Sequence, residues 1–200
     1  MSAPLGFDFI GAPAGAVSAD IQASDPAAVI GVVQAGGLFT GSINTAGLLR
    51  TMIAAGTDLG GSGRPLIQAE SGIGSVIVLG SMIDTDVGVG LDPAVGSQNP
   101  AINLLYVAGD MQRSNALAGV WDEAAGGYPN GKQTPVWRKI ENASMGVVYV
   151  GGQVGEVGPP VGGIASSGDI DYIADSDGPL LETGEDTAEK NDYSIARHVT

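Results

Sequence analysis

Short apolar runs, each stopped by glycine or a polar turn, recur along most of the chain. Residues 27–35 (AAVIGVVQA) are rich in β-branched side chains and predict a buried strand that Gly36 and Gly37 end. Similar runs follow at 65–70, 75–80, 86–91, 101–108, 136–141, 145–151 and 169–174. Turn signals separate them, among them Asp92-Pro93, Asn99-Pro100, Asn130-Gly131 and Pro159-Pro160. Asn130-Gly131 is a good hairpin turn, because both central residues of that turn type take positive φ.

One segment carries a different period. In residues 44–56 (NTAGLLRTMIAAG), Leu48, Leu49, Met52 and Ile53 recur at i, i+1, i+4 and i+5. Asn44 or Thr45 can cap the start and Gly56 fits the position after the last turn, so the pattern predicts one short helix over about 44–56. Gly47 weakens it. Many short strands with a single helix predict a mainly β domain, a sandwich or barrel-like fold with extended terminal arms.

Composition divides the chain into three. Residues 1–20 hold two of the three Phe, Phe7 and Phe9, between Pro4 and Pro13, and read as an N-terminal arm. Two side chains one residue apart share a side of an extended strand, so the pair reads as a docking element. Residues 21–168 form the β-rich core domain. Within it, 150–163 (VGGQVGEVGPPVGG) has irregular Val–Gly spacing and predicts a long loop or irregular edge strand, not a repeat. Residues 169–200 hold 9 acidic and 2 basic side chains and form an acidic tail or arm, where Tyr193 and Ile195 are further docking candidates.

Charge and residue choice narrow the function. The formal net charge is −14, from 22 acidic and 8 basic residues among 200. That argues against nucleic acid, which needs a Lys/Arg footprint, and against anionic membrane surfaces. No stretch is long and apolar enough to span a bilayer, and residues 1–20 lack the basic start of a secretory signal. The chain has no Cys, only three Lys, and one His, His198, so it offers little of what most catalytic mechanisms use. The 33 Gly point to tight turns and close packing.

Candidate chemistry is sparse. Gly126 to Lys132 matches a phosphate-loop pattern, but Gln133 stands where Ser or Thr should bind Mg²⁺, and Pro135 blocks the helix that must follow. Asp84/Asp86, Asp169/Asp171 and Asp175/Asp177 repeat D-x-D, and Asp175, Asp177 and Glu182 are weak Ca²⁺ candidates whose spacing misses the EF-hand loop. Alternating Asp in a strand more often guards an edge against aggregation. Asp110, Asp122, Glu123 and Glu141 lie near Trp121, Tyr128 and Trp137, the mix a glycosidase uses, although any acidic chain offers such pairs. His198 has no G-x-S-x-G partner for a triad. Asn142-Ala143-Ser144 is a glycosylation sequon. No catalytic residue, cofactor or resident metal is expected.

Gly-, Ala- and Val-rich, Cys-free, Lys-poor and β-rich, the chain resembles tailed-virus structural proteins in composition, with no motif of its own to place it. The resemblance implies a non-enzymatic structural subunit of a virion, such as a capsid decoration (cement) protein. Its expected partners are further copies of itself, a trimer included, and a shell or other virion protein. The competing expectation is a secreted or cell-surface β module that binds Ca²⁺ or glycans.

Overall fold

The computed structural model describes residues 6–12, 14–18, 20–55, 59–60, 66–91, 100–122, 137–139, 143–152, 154, 163–166, 170–174 and 194–196. The strands follow one another in coils. The first coil holds β1 (Gly6–Ala12) and β2 (Ile21–Ala23), and the second β3 (Val29–Ala35) and β4 (Ile43–Thr45). The third holds β5 (Leu48–Ala54), β6 (Leu59–Gly60) and β7 (Leu66–Ala69). The fourth holds β8 (Gly72–Val78), β9 (Met82–Ile83) and β10 (Asp86–Val89). The fifth holds β11 (Ala101–Val107), β12 (Met111–Gln112) and β13 (Asn115–Ala118). A hairpin of β14 (Val120–Asp122) and β15 (Trp137–Lys139) follows, then the sixth coil with β16 (Ser144–Val150) and β17 (Gly163–Ser166). β18 (Ile170–Ala174) opens a seventh coil, and β19 (Ser194–Ala196) comes last.

Each strand pairs with its counterpart one coil away. One sheet is β1-β3-β5-β8-β11-β16-β18, all parallel; a second is β2-β4-β7-β10-β13-β17, parallel and closed by antiparallel β19. β6-β9-β12 make a third, extended by single bridges through Val17, Phe39 and Val154. Strands that run once through three sheets per turn and stack in parallel define a β-solenoid. The chain is mainly β, as the apolar runs predict. A sandwich or barrel arrangement is not confirmed.

The core is a stack of like positions. Numbering the seven residues of β3, β5, β8, β11 and β16 from the first, positions 2, 5 and 7 are buried in every one. Val17, Phe39, Leu59, Met82, Met111 and Val154 stack along the third side, and Ile21, Ile43, Ile67, Val87, Ala116 and Ile164 along the second sheet. This aliphatic interior, with Phe39 as its one described aromatic, fits the few aromatics in the sequence.

The helix predicted over 44–56 is absent. Those residues form the end of β4, a turn and β5. The cause is a slip in alternation at position 3. In β5, Leu49 and Met52 face inward with two outward residues, Arg50 and Thr51, between them. The ladder skips the Arg50 pairing in both directions, from Leu49 to Thr51. The extra residue turns the strand period of two into a spacing of three, which imitates a helix.

Position 3 has a second regularity. Down the coils it reads Asp8, Gly31, Arg50, Gly74, Asn103, Gly146 and Asp171. A Cβ added at Gly31, Gly74 or Gly146 would lie 2.3, 2.3 or 2.5 Å from the carbonyl oxygen of the residue one coil before. The kink therefore admits a side chain only at every second coil.

The turn from the third side into the second sheet is built alike in the fourth and fifth coils. Met82–Val89 and Met111–Ala118 superpose in register, with Asp84 and Arg113 both in left-handed backbone, at φ 49 and 47. Ser114 Oγ accepts from the Thr85 amide at 3.0 Å and donates toward the Gln112 carbonyl at 2.8 Å, so the buried turn is internally satisfied. β10 and β13 are followed by Gly90 and Gly119, with φ 60 and 64. From these two adjacent points leave the longest connections between described coils, 91–100 and the segment carrying the β14–β15 hairpin.

Candidate interaction surface

Because positions 2, 5 and 7 point inward, positions 4, 6 and the next residue, 8, form three rows of the outer face of the first sheet, beside the kink row at position 3. Position 4 reads Phe9, Val32, Thr51, Ser75, Leu104 and Val147. Position 6 reads Gly11, Gln34, Ile53, Ile77, Tyr106 and Tyr149. Position 8 reads Gly36, Ala55, Leu79, Ala108 and Gly151, held by amide-to-carbonyl bonds that continue the ladder. None is charged, although the chain carries −14. In the ladder, Val147 pairs with Tyr172 and Tyr149 with Ala174 of β18.

The face is flat but not featureless. Phe9 is 54 % exposed, Leu79 53 % and Val147 41 %, and most of their neighbours are half-buried within their own rows. Tyr106 and Tyr149 stack with centroids 5.2 Å apart and planes 11° from parallel. The Ser75 hydroxyl donates to Thr51 Oγ1 at 3.1 Å, so even the polar pair of the face is satisfied within it. Leu79 stands between Ala55 and Ala108 as the one large side chain of its row. Such a contiguous uncharged patch has the make-up of a contact surface.

The other sides carry the polar contacts, although Leu38 beside the third side is exposed. Arg113 holds Asp84 in a two-pronged ion pair, Nε to Oδ1 at 2.7 Å and Nη2 to Oδ2 at 2.8 Å. Asn115 Nδ2 donates to Asp86 Oδ1 at 2.7 Å on the outer side of the second sheet, where both residues are buried. On the first three strands of that sheet, Gln22, Asn44 and Gln68 align in register beside Ser24 and the buried Glu70, which accepts from Gln68 Nε2. They line an open groove of about 350 Å³. Amides and a carboxylate there can exchange hydrogen bonds with a hydroxyl-rich molecule.

Of the residues singled out by sequence, Phe9 lies on the uncharged face. Phe7 pairs with Ile30 at position 2 and Phe9 with Val32 at position 4, on either side of the kink at Asp8. Ile195, in β19, pairs with Ala165 of β17. Tyr193, Asp175, Asp177, Glu182, His198, the Gly126–Lys132 segment and the Asn130-Gly131 turn lie outside the described residues. In the hairpin, register sets Trp121 opposite Arg138 and Asp122 opposite Trp137. Among the described residues no three His, Asp or Glu gather to hold a metal ion, and no helix is long and apolar enough to cross a membrane. The uncharged face escaped the sequence reading, because its rows exist only once the register is known. No protein-family model, curated protein or solved structure matches the chain.

Proposed function

We propose that the chain is a structural subunit of a large protein assembly, with a virion, and within it a capsid decoration role, as the setting its composition resembles. One observation carries the reading: an acidic molecule that keeps three neighbouring rows of one sheet face free of charge, beside a kink row that holds Asp8 and Arg50. Uncharged, flat, partly aromatic surface is what a permanent contact uses, and it is a liability for a chain that works alone. The acidic remainder suits a basic patch on a shell protein, where charge sets orientation and encounter more than affinity. Mechanism is then mechanical: the rigid solenoid presents its face, and side chains such as Phe9 and Leu79 fill hollows in the neighbour.

An antibody against the chain, followed through a sedimentation gradient of its source material, tests this. A structural subunit travels with a large particle in fixed stoichiometry to the particle's other proteins. Recovery only in slow fractions, together with elution of the chain from immobilised glycan by free sugar, would replace the reading with a surface module acting through the Gln22–Asn44–Gln68 groove.

A further inference from the structure

Resting on that reading, we infer that the uncharged face is occupied by the same face of a second copy, with the coil order reversed. Charge selects the partner. Two molecules of −14 repel one another over the rest of their surface, and this face is where they can meet without opposing carboxylates.

Area permits it. About a two-fold axis between the fourth and fifth coils the first coil overhangs, so six strands at roughly 4.8 Å and five residues at roughly 3.3 Å give an overlap of about 29 by 17 Å. Two such patches together remove on the order of 1,000 Å² from water, level with the ~1,000 Å² that separates specific interfaces from incidental ones.

Relief supports the reversed order. Bulk is unevenly placed: Ile53 and Ile77 occupy the earlier coils of their row, and Tyr106 and Tyr149 the later ones. A two-fold axis parallel to the strands, between the fourth and fifth coils, lays Tyr106 over Ile77 and Tyr149 over Ile53. The same axis seats Leu79 of one copy over Ala108 of the other, a projecting side chain above a small one. A symmetric pair of this kind is self-complementary by construction.

Salt distinguishes this partner from a basic one. Screening relieves repulsion between two acidic copies, so self-pairing tightens as salt rises, whereas attraction to a basic patch weakens. The test is sedimentation equilibrium of the full chain from about 1 to 100 μM, at 20 mM and 500 mM salt, with circular dichroism to verify folding. The wild type is expected to dimerise more tightly at the higher salt. Ile77→Lys is expected to weaken dimerisation at least about 100-fold, because it buries an unpaired charge. Leu79→Lys, at a position already half open to water, serves if Ile77→Lys unfolds; Asn44→Lys, on the groove side, is expected to leave the dimer intact. A wild type that stays monomeric throughout overturns self-pairing but leaves the assembly reading to the gradient experiment. A dimer that ignores both face substitutions, or that salt weakens, overturns this face and this partner while assembly stands.

Discussion

Gly74 shows how a single residue can be required by backbone alone. Its missing side chain is where the Arg50 carbonyl passes, and a Cβ would sit 2.3 Å from that oxygen. Gly74→Ala must push two ladder strands apart, at a cost of about 2–3 kcal/mol. Asn103→Ala, in the same row one coil on, removes only an exposed side chain and is expected to change stability by less than about 0.5 kcal/mol. Urea denaturation of both variants checks the contrast; equal losses would mean the kink tolerates a Cβ at every coil. The high glycine content pointed to close packing, but which glycines are obligatory follows only from register.

At the scale of the element, the turns of the fourth and fifth coils hold two opposing effects in one pair of residues. Asp84 and Arg113 both sit in left-handed backbone, a conformation that costs a side-chain-bearing residue roughly 1 kcal/mol. They also grip one another, with about a third of each side chain exposed, so the ion pair is worth no more than about 1 kcal/mol. Arg113→Ala loses the pair and keeps the strain, for a net loss of about 1 kcal/mol. Arg113→Gly loses both and stays within about 0.5 kcal/mol of the wild type. Glycine melting above alanine is the expected order; the reverse would mean that the pair, not the backbone, dominates this turn. Of the strands beside these turns only β10 falls in an apolar run of the sequence, 86–91; β9, β12 and β13 fall in none, because two to four residues carry too little pattern. The helical spacing over 44–56 has its own cause: alternation interrupted at Arg50 leaves the spacing of a helix where the chain is extended.

For the whole molecule, the coil-by-coil arrangement was hidden by unequal spacing. Register partners down the first sheet lie 23, 19, 24, 29, 43 and 25 residues apart, so no fixed period recurs in the sequence. The mainly β class survived because it depends on local composition, while the topology depends on which run pairs with which. A solenoid is stabilised by contacts between neighbouring coils, and interior coils have two neighbours. Amide exchange should accordingly be slowest in β5, β8 and β11 and faster in β1 and β2. Uniform protection from first coil to sixth would instead indicate a single all-or-none unit.

The paired exits at Gly90 and Gly119 carry a practical meaning. Both interrupt the stack between one coil's last strand and the next coil's first, and β10–β13 and β8–β11 pairing continues undisturbed on either side. Lengthening a loop costs only about 0.6 kcal/mol for each doubling of its span. This corner of the rod is thus a socket for foreign sequence: a peptide epitope or a small folded tag spliced after Gly90 would be carried beside the native hairpin's own departure point. Repeated copies of such a fusion would turn the protein into a display scaffold, with cargo borne on an edge and the flat side left free for contact.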